Sequence, residues 1–335
     1  MKFITIGELL LRLSPPNYEK IRTTSSFLVH FGGAEANVAV SLANLGVDST
    51  YFTVLPNNSL GKAAYAYLKA NDVHASRIIF DGERIGTYYL EEGVAVRASQ
   101  VIYDRKYSAF AEYDYTDTDL EAILKGYDWL HLSGITPALS ANCRVLLEKS
   151  LVVAKRLNMT VSFDTNYRAK LWDWDEAKDV LSTYMPYVDI LIGIEPLHLY
   201  KDGKDIKEGL SMQPSFKDMN RVFRELDAQF HFKCIARTVR FTHSSNNNSL
   251  MAFMHTDGET YESKTFNFDI VDRVGGGDAF SSGLIFALMK KMEPQTAINF
   301  AVASSVMKHS IRGDTNIADE ASITRLMNNT FDIQR

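Results

Sequence analysis

Cysteine is almost absent. Cys143 and Cys234 are the only two in 335 residues, which excludes a disulfide framework and a cysteine-built metal cluster; both read as buried thiols. Long apolar runs are missing as well, since no stretch approaches the roughly 18 residues of a membrane helix. The chain opens into the strand-like Lys2-Phe3-Ile4-Thr5-Ile6 with no charged segment and cleavable apolar run ahead of it, so a cytoplasmic enzyme is expected. Positive charge is not in excess. The net charge is -5 and no long basic run occurs, which argues against nucleic acid or an anionic membrane as partner. An anionic ligand must then be small, and met locally by a few arginines and helix ends.

Two common phosphate signatures are also missing. A P-loop requires Gly-Lys-Ser/Thr after its loop, and a dinucleotide fingerprint requires a third glycine where Phe280 stands. What the chain has instead is Val271-Asp272-Arg273-Val274-Gly275-Gly276-Gly277-Asp278, followed by Ala279-Phe280-Ser281-Ser282-Gly283. Three glycines at an expected strand-to-helix turn let backbone N–H groups approach an anion, and the helix start adds its unsatisfied amides and dipole. Asp278 would stand on the floor of that cradle as the base for an acceptor hydroxyl. In a loose phosphoryl-transfer transition state the proton leaves late, so an ordinary carboxylate pKa near about 3.9 suffices. A purely steric glycine turn is the alternative.

Apolar runs alternate with amphipathic stretches, the pattern of a mainly parallel sheet with helices on both faces. Sheet strands are expected at 2–7, 49–54, 128–132, 160–164, 190–194 and 233–237, and helices at 34–45, 60–70, 140–157, 174–185, 215–226, 278–291 and 294–310. Two insertions, 11–30 and 78–110, break the rhythm. The second carries alternating segments at 87–90 and 94–97, and both insertions read as antiparallel strands of a small lid over the C-terminal strand ends. The polar run 244–248 reads as a surface loop or hairpin connection, and one domain spanning 1–335 is expected.

Other residues suit a ligand cleft. Gly32-Gly33 opens a helix with Asn37 one turn in, which brings backbone close to a polyol and an amide to its hydroxyls; an exposed Asn after a glycine turn is the alternative. Arg105, in the lid, and Arg168, after a core strand, would grip a carboxylate or phosphate together, while a surface ion pair is the plainer reading of each alone. Tyr88 suits stacking on a sugar or simple packing. His131 reads as a core histidine, and Trp172 and Trp174 as packing anchors.

Together these segments resemble the ribokinase-like, or PfkB, family of carbohydrate kinases over nearly the whole chain. Gly32-Gly33 through Asn37 is similar to its early signature, and Gly275–Asp278 to its anion hole and catalytic base. Within the family, Gly32-Gly33-Ala34-Glu35-Ala36-Asn37, Tyr103-x-Arg105 and Asp164-x-Asn166-Tyr167-Arg168-x-x-Leu171-Trp172 resemble 2-keto-3-deoxygluconate kinases.

The resemblance implies a ribokinase-like α/β fold with a β lid that makes a dimer, and transfer from ATP with Mg²⁺ to the terminal hydroxyl of 2-keto-3-deoxygluconate. It puts Gly33, Tyr88, Tyr103, Arg105 and Arg168 on the sugar acid. It puts Asn166, Glu195, Thr238 and Arg240 on the nucleotide side with Gly275 and Gly277, and a monovalent cation such as K⁺ at Asp272, Val274 and Gly313. Three departures stand out. Ile194-Glu195-Pro196-Leu197 replaces the family's Asn-x-x-Glu, Arg240-Phe241-Thr242-His243 replaces a Gly-x-x-Gly loop, and Arg273 stands where Thr is usual. Alternatives are a kinase of fructose or another sugar, a non-catalytic sugar-binding regulator on the same fold and, remotely, an NAD-dependent oxidoreductase.

Overall fold

The computed structural model describes residues 1–328; the last seven of the expected 1–335 domain, 329–335, lie outside the described residues. The strands used below are β1 (Lys2–Ile6), β2 (Leu10–Ser14), β3 (Leu28–Gly32), β4 (Asp48–Phe52), β5 (Thr87–Glu91), β6 (Gln100–Asp104), β7 (Trp129–Ser133), β8 (Thr160–Asp164), β9 (Ile190–Ile192), β10 (Cys234–Thr242), β11 (Asn247–Thr256), β12 (Glu259–Glu262) and β13 (Phe266–Asp269). The principal helices are α1 (Ala34–Asn44), α2 (Ser59–Ala70), α3 (Ala141–Arg156), α4 (Trp174–Tyr184), α5 (Phe216–Phe230), α6 (Gly276–Met289), α7 (Pro294–Lys308) and α8 (Glu320–Met327).

A nine-stranded sheet runs β12-β11-β10-β9-β8-β7-β1-β4, with β13 also pairing with β11. From β10 to β4 every neighbouring pair is parallel, and β11, β12 and β13 add an antiparallel edge. Strand alternation divides the core into two layers. Ile4, Leu130, Leu132 and Leu191 join a cluster with Leu146 of α3, Leu181 of α4 and Phe223 of α5. Phe3, Trp129, Ile190 and Ile192 point the other way, onto Phe280 and Leu284 of α6 and Phe300 of α7. Burial on both faces explains why these strands read as short apolar runs. Among the described residues no helix is long and apolar enough to cross a membrane.

Helix starts follow local chemistry. Asn58 accepts from the Leu60 and Gly61 amides, Ser140 from Cys143, and Ser215 from Asp218, so each side-chain oxygen takes an amide that the first turn leaves unpaired. At α6 the cap is Gly275, with no side chain to do this.

The lid is a four-stranded sheet in the order β3-β2-β5-β6. Two expectations change here. Within the 78–110 insertion the strand that pairs with β5 is β6, whereas 94–97 forms a turn with Ala95 at φ 54° and Val96 fully exposed, and Ile79–Phe80 pairs in parallel with Val54–Leu55 outside the lid. Its cause is Gly93, where a Cβ would lie 2.3 Å from the Arg97 carbonyl, so the chain folds back on itself there. The central lid pair, β2 with β5, is parallel rather than antiparallel. The run 244–248 does connect a hairpin, although Asn247 and Asn248 already belong to β11, and β10 extends five residues past the expected 237.

Candidate active site

Between the lid and the C-terminal ends of the parallel strands lies a cleft of about 530 Å³, where folds of this kind bind ligands. Glu8 follows β1, Asp164 ends β8 and Gly193 follows β9, so three strand ends of the parallel sheet supply its wall. Gly275, Gly276, Gly277 and Asp278 form its floor.

Each floor glycine has a separate reason. Gly275 sits at φ 83°, and a Cβ there would fall 1.7 Å from the Asp314 carbonyl oxygen. At Gly276 a Cβ would meet the His309 ring at 2.3 Å, whereas Gly277 has nothing within 4 Å. Gly277 therefore borders open cleft, and its missing side chain leaves the first-turn amides of α6 accessible to an anion.

Asp278 stands in that first turn and accepts a hydrogen bond from Asn37 Nδ2 at 2.6 Å. Burial pushes its pKa up to about 7, with the Asp164 charge adding and the Asn37 bond opposing. This differs from the ordinary value expected from the sequence; the reason is first burial, which the sequence does not show, and then the nearby Asp164 charge, which the chain order separates from Asp278. Glu35, held by Thr136 Oγ1 at 2.8 Å, is pushed to about 7 by burial. Asp164 is pushed to about 6 by burial, against the charge of Arg168 and bonds from Ser281 Oγ and the Asn166 amide. Asn37, expected to grip hydroxyls, instead joins the Gly33 amide, at 3.3 Å, to the base.

On the lid side, Gly33, Tyr88, Tyr103, Arg105 and Arg168 all line the cleft. The two arginines differ. Arg105 is buried and directs Nε and Nη2 to Glu8, with the Nε bond 2.8 Å long, while its guanidinium lies 5.7 Å from the Tyr103 ring centre. Arg168 is exposed and bonds only the Tyr167 carbonyl, at 3.3 Å, with no acidic partner at ion-pair distance among the described residues. Glu8 Oε1 is buried and has no hydrogen-bond partner. The Tyr88 hydroxyl donates to Asp314 Oδ2.

On the opposite side, Asn166, Thr238, Arg240 and Arg273 line the cleft, and the sequence missed Arg237 beside them. Arg240 and Arg273 make no ion pair among the described residues and lie close enough for their charges to repel. Arg273, whose orientation the sequence left open, reaches the cleft wall and donates to the Ser245 carbonyl at 3.1 Å.

Four expected residues are not on the cleft wall. Gly32 lies behind it, where a Cβ would be 2.1 Å from Asp314 Oδ2. Glu195 turns toward Lys207, 3.7 Å away. Asp272 and Gly313 are buried behind the floor, and Gly313 N–H bonds Asp272 Oδ2 at 3.0 Å. Val274 reaches the cleft, but its amide donates to Asp272 Oδ1 at 3.1 Å. The sequence also missed Glu8, Glu35 and Asp314; an acid directly after the first core strand was the available signal for Glu8.

The sequence and the fold have close counterparts. A 2-dehydro-3-deoxygalactonokinase of Haloferax volcanii is 31% identical over 97% of this chain and 96% of its own length. The crystal structure of a 2-dehydro-3-deoxygluconokinase from Thermotoga maritima superposes with a TM-score of 0.91 at 39% identity, covering 98% of this chain and 99% of that one. A putative 2-keto-3-deoxygluconate kinase from Enterococcus faecalis gives a TM-score of 0.88 at 27% identity, covering 100% and 99% of the two chains. Residues 2–321 match the description "pfkB family carbohydrate kinase", so a glycine cradle with an acid in its first turn, on this ribokinase-like fold, makes the chain a member of the pfkB family of carbohydrate kinases.

Proposed function

We propose that this kinase transfers the γ-phosphoryl group of ATP to the terminal hydroxyl of 2-keto-3-deoxygluconate. One observation carries the choice of a sugar acid over a neutral sugar: Arg168 lines the cleft with a guanidinium that makes no ion pair among the described residues, near enough to Asp164 and the base for its charge to act on both. A carboxylate matches that fork, and neutral hydroxyls do not require it. The names of the relatives support the same class of acceptor.

In this reading Arg168 and the free Nη1 of Arg105 bind the carboxylate, and the unpartnered Glu8 Oε1 accepts a sugar hydroxyl. Asp278 takes the proton from the terminal hydroxyl, and the amides of the Gly275–Gly277 turn hold charge on the transferred oxygens. Arg240 and Arg273 meet the nucleotide phosphates in place of a glycine loop. Mg²⁺ needs only one or two carboxylates besides phosphate oxygens and water; Asp164, close enough to act on Asp278, is the acid placed to share it, and the ion supplies charge neutralisation at the phosphates. Glu195, off the wall, is not assigned to the nucleotide. A dimer through the lid belongs to the proposal: Leu28, Val29 and Ile102 leave apolar side chains exposed on that sheet.

A coupled ATP-consumption assay across aldonic, keto-deoxy and neutral sugars tests the reading. Turnover should be far more efficient with keto-deoxy sugar acids than with neutral sugars, and Arg168→Ala should raise the KM of the acids strongly while leaving the weak neutral-sugar turnover little affected. Equal losses on both substrates would overturn the carboxylate assignment.

A further inference from the structure

Behind the anion hole, α7 ends in Lys308, a fully buried lysine. Its Nζ donates to the carbonyl oxygens of Asp272 and Ile311, both at 3.2 Å, and lies 4.0 Å from Asp272 Oδ1. These two carbonyls belong to different loops. Asp272 leads into the Val274–Gly277 cradle, and Ile311 leads to Asp314, whose carbonyl lies against Gly275. The lysine therefore ties the loop that enters the anion hole to the loop that supports it.

A monovalent cation at Asp272, Val274 and Gly313, as the family resemblance implies, does not fit this arrangement. Such an ion needs oxygens in place of its hydration shell. Here the Val274 and Gly313 amides point their N–H groups at the Asp272 carboxylate, and Arg12 Nη2 takes it at 2.8 Å. Arg12 is itself fully buried and holds Asp314 Oδ1 at 2.7 Å and Glu92 Oε1 at 3.2 Å. Two cationic side chains already serve the acids of this pocket, and one of them occupies the carbonyls that bridge the loops. Burial lowers the Lys308 pKa, while the Asp272 and Asp314 charges favour its protonated form.

We propose that the Lys308 ammonium replaces a monovalent cation as a positioning group, so that the anion hole is held by a side chain and phosphoryl transfer is independent of K⁺. This rests on the kinase assignment but not on the identity of the sugar.

The test uses the full chain at fixed ionic strength in KCl, NaCl or tetramethylammonium chloride. For the wild type, kcat, KM for ATP and the melting temperature without substrates should be the same in all three salts. A several-fold rise in kcat/KM with K⁺, or a K⁺-specific rise in melting temperature, would overturn the proposal. Lys308→Ala opens space beside the two carbonyls. Its kcat should fall by about tenfold, less than the loss of an oxyanion donor, because the hole is loosened and not removed. K⁺ should restore part of that loss, raise the variant's melting temperature over that in tetramethylammonium, and leave KM for the sugar unmoved. A folded variant with wild-type kcat, or one that no cation rescues, refutes the positioning role. If the variant does not fold, the wild-type salt series decides. Absence of turnover in every salt would count against the substrate reading, and the melting series would still judge Lys308.

Discussion

Replacing Asp278 by Asn should separate activity from stability, in opposite directions. The carboxylate is held at about 7, chiefly by burial and secondly by Asp164, against an ordinary 3.8. A rise of about three pH units is about 4 kcal/mol of preference for the neutral acid, at 1.36 kcal/mol each. The sign follows from linkage. Between pH 4 and 7 the folded protein keeps a proton that the unfolded chain has lost, so stability from this group declines as pH rises and is flat above 7. Asn is neutral throughout and can still accept the Asn37 hydrogen bond through its oxygen. The variant's advantage over wild type should therefore grow by roughly 2–3 kcal/mol between pH 5 and pH 8. With an unfolding entropy of about 2.1 cal/mol/K per residue, that is about 4 °C of melting temperature for a chain this long. Phosphoryl transfer, which needs the ionised base, should fall by about 10²–10⁴-fold. Scanning calorimetry at the two pH values and the coupled assay supply both readouts. A variant retaining more than a tenth of wild-type kcat would refute the base assignment, and a melting difference independent of pH would refute the electrostatic account.

The same group sets the acid limb of the pH profile: kcat/KM should drop tenfold per pH unit below about 7, and a limb near pH 4 would mean that the base is solvated in the working enzyme. Gly275→Ala should cost both stability and activity, because its Cβ meets the Asp314 carbonyl at 1.7 Å with φ at 83°. Gly277→Ala, facing open space, should melt like wild type and still lose about 10²-fold in kcat as the Cβ crowds the phosphoryl group, so equal melting losses in the two variants would contradict the geometry. Arg240→Ala and Arg273→Ala should each raise KM for ATP about tenfold, the loss of one charged hydrogen bond, without moving KM for the sugar; an unchanged nucleotide KM would show that these arginines do not meet the phosphates.

How much of this was legible in the sequence depends on what each feature needed. The parallel strands and their helices were readable because burial on both faces writes itself as local apolar runs and helical periodicity. The glycine cradle was readable because backbone approach demands glycine at fixed spacing, and Asp278 comes with it. Strand pairing in the lid was not, since Val94-Ala95-Val96 alternates as a strand would and only the fold-back at Gly93 removes it from the sheet. Charge partnership was least readable, because it joins residues far apart in the chain. Glu8 neutralises Arg105 from 97 residues away, and Arg12 reaches Asp314 across 302. That distinction bears directly on specificity. Two arginines in sequence looked like a symmetric clamp, but in the fold Arg105 is bonded to a buried carboxylate while Arg168 makes no ion pair among the described residues. Arg168 is therefore the place to alter acceptor preference, whereas substituting Arg105 also strands Glu8 as a buried charge and should cost stability first.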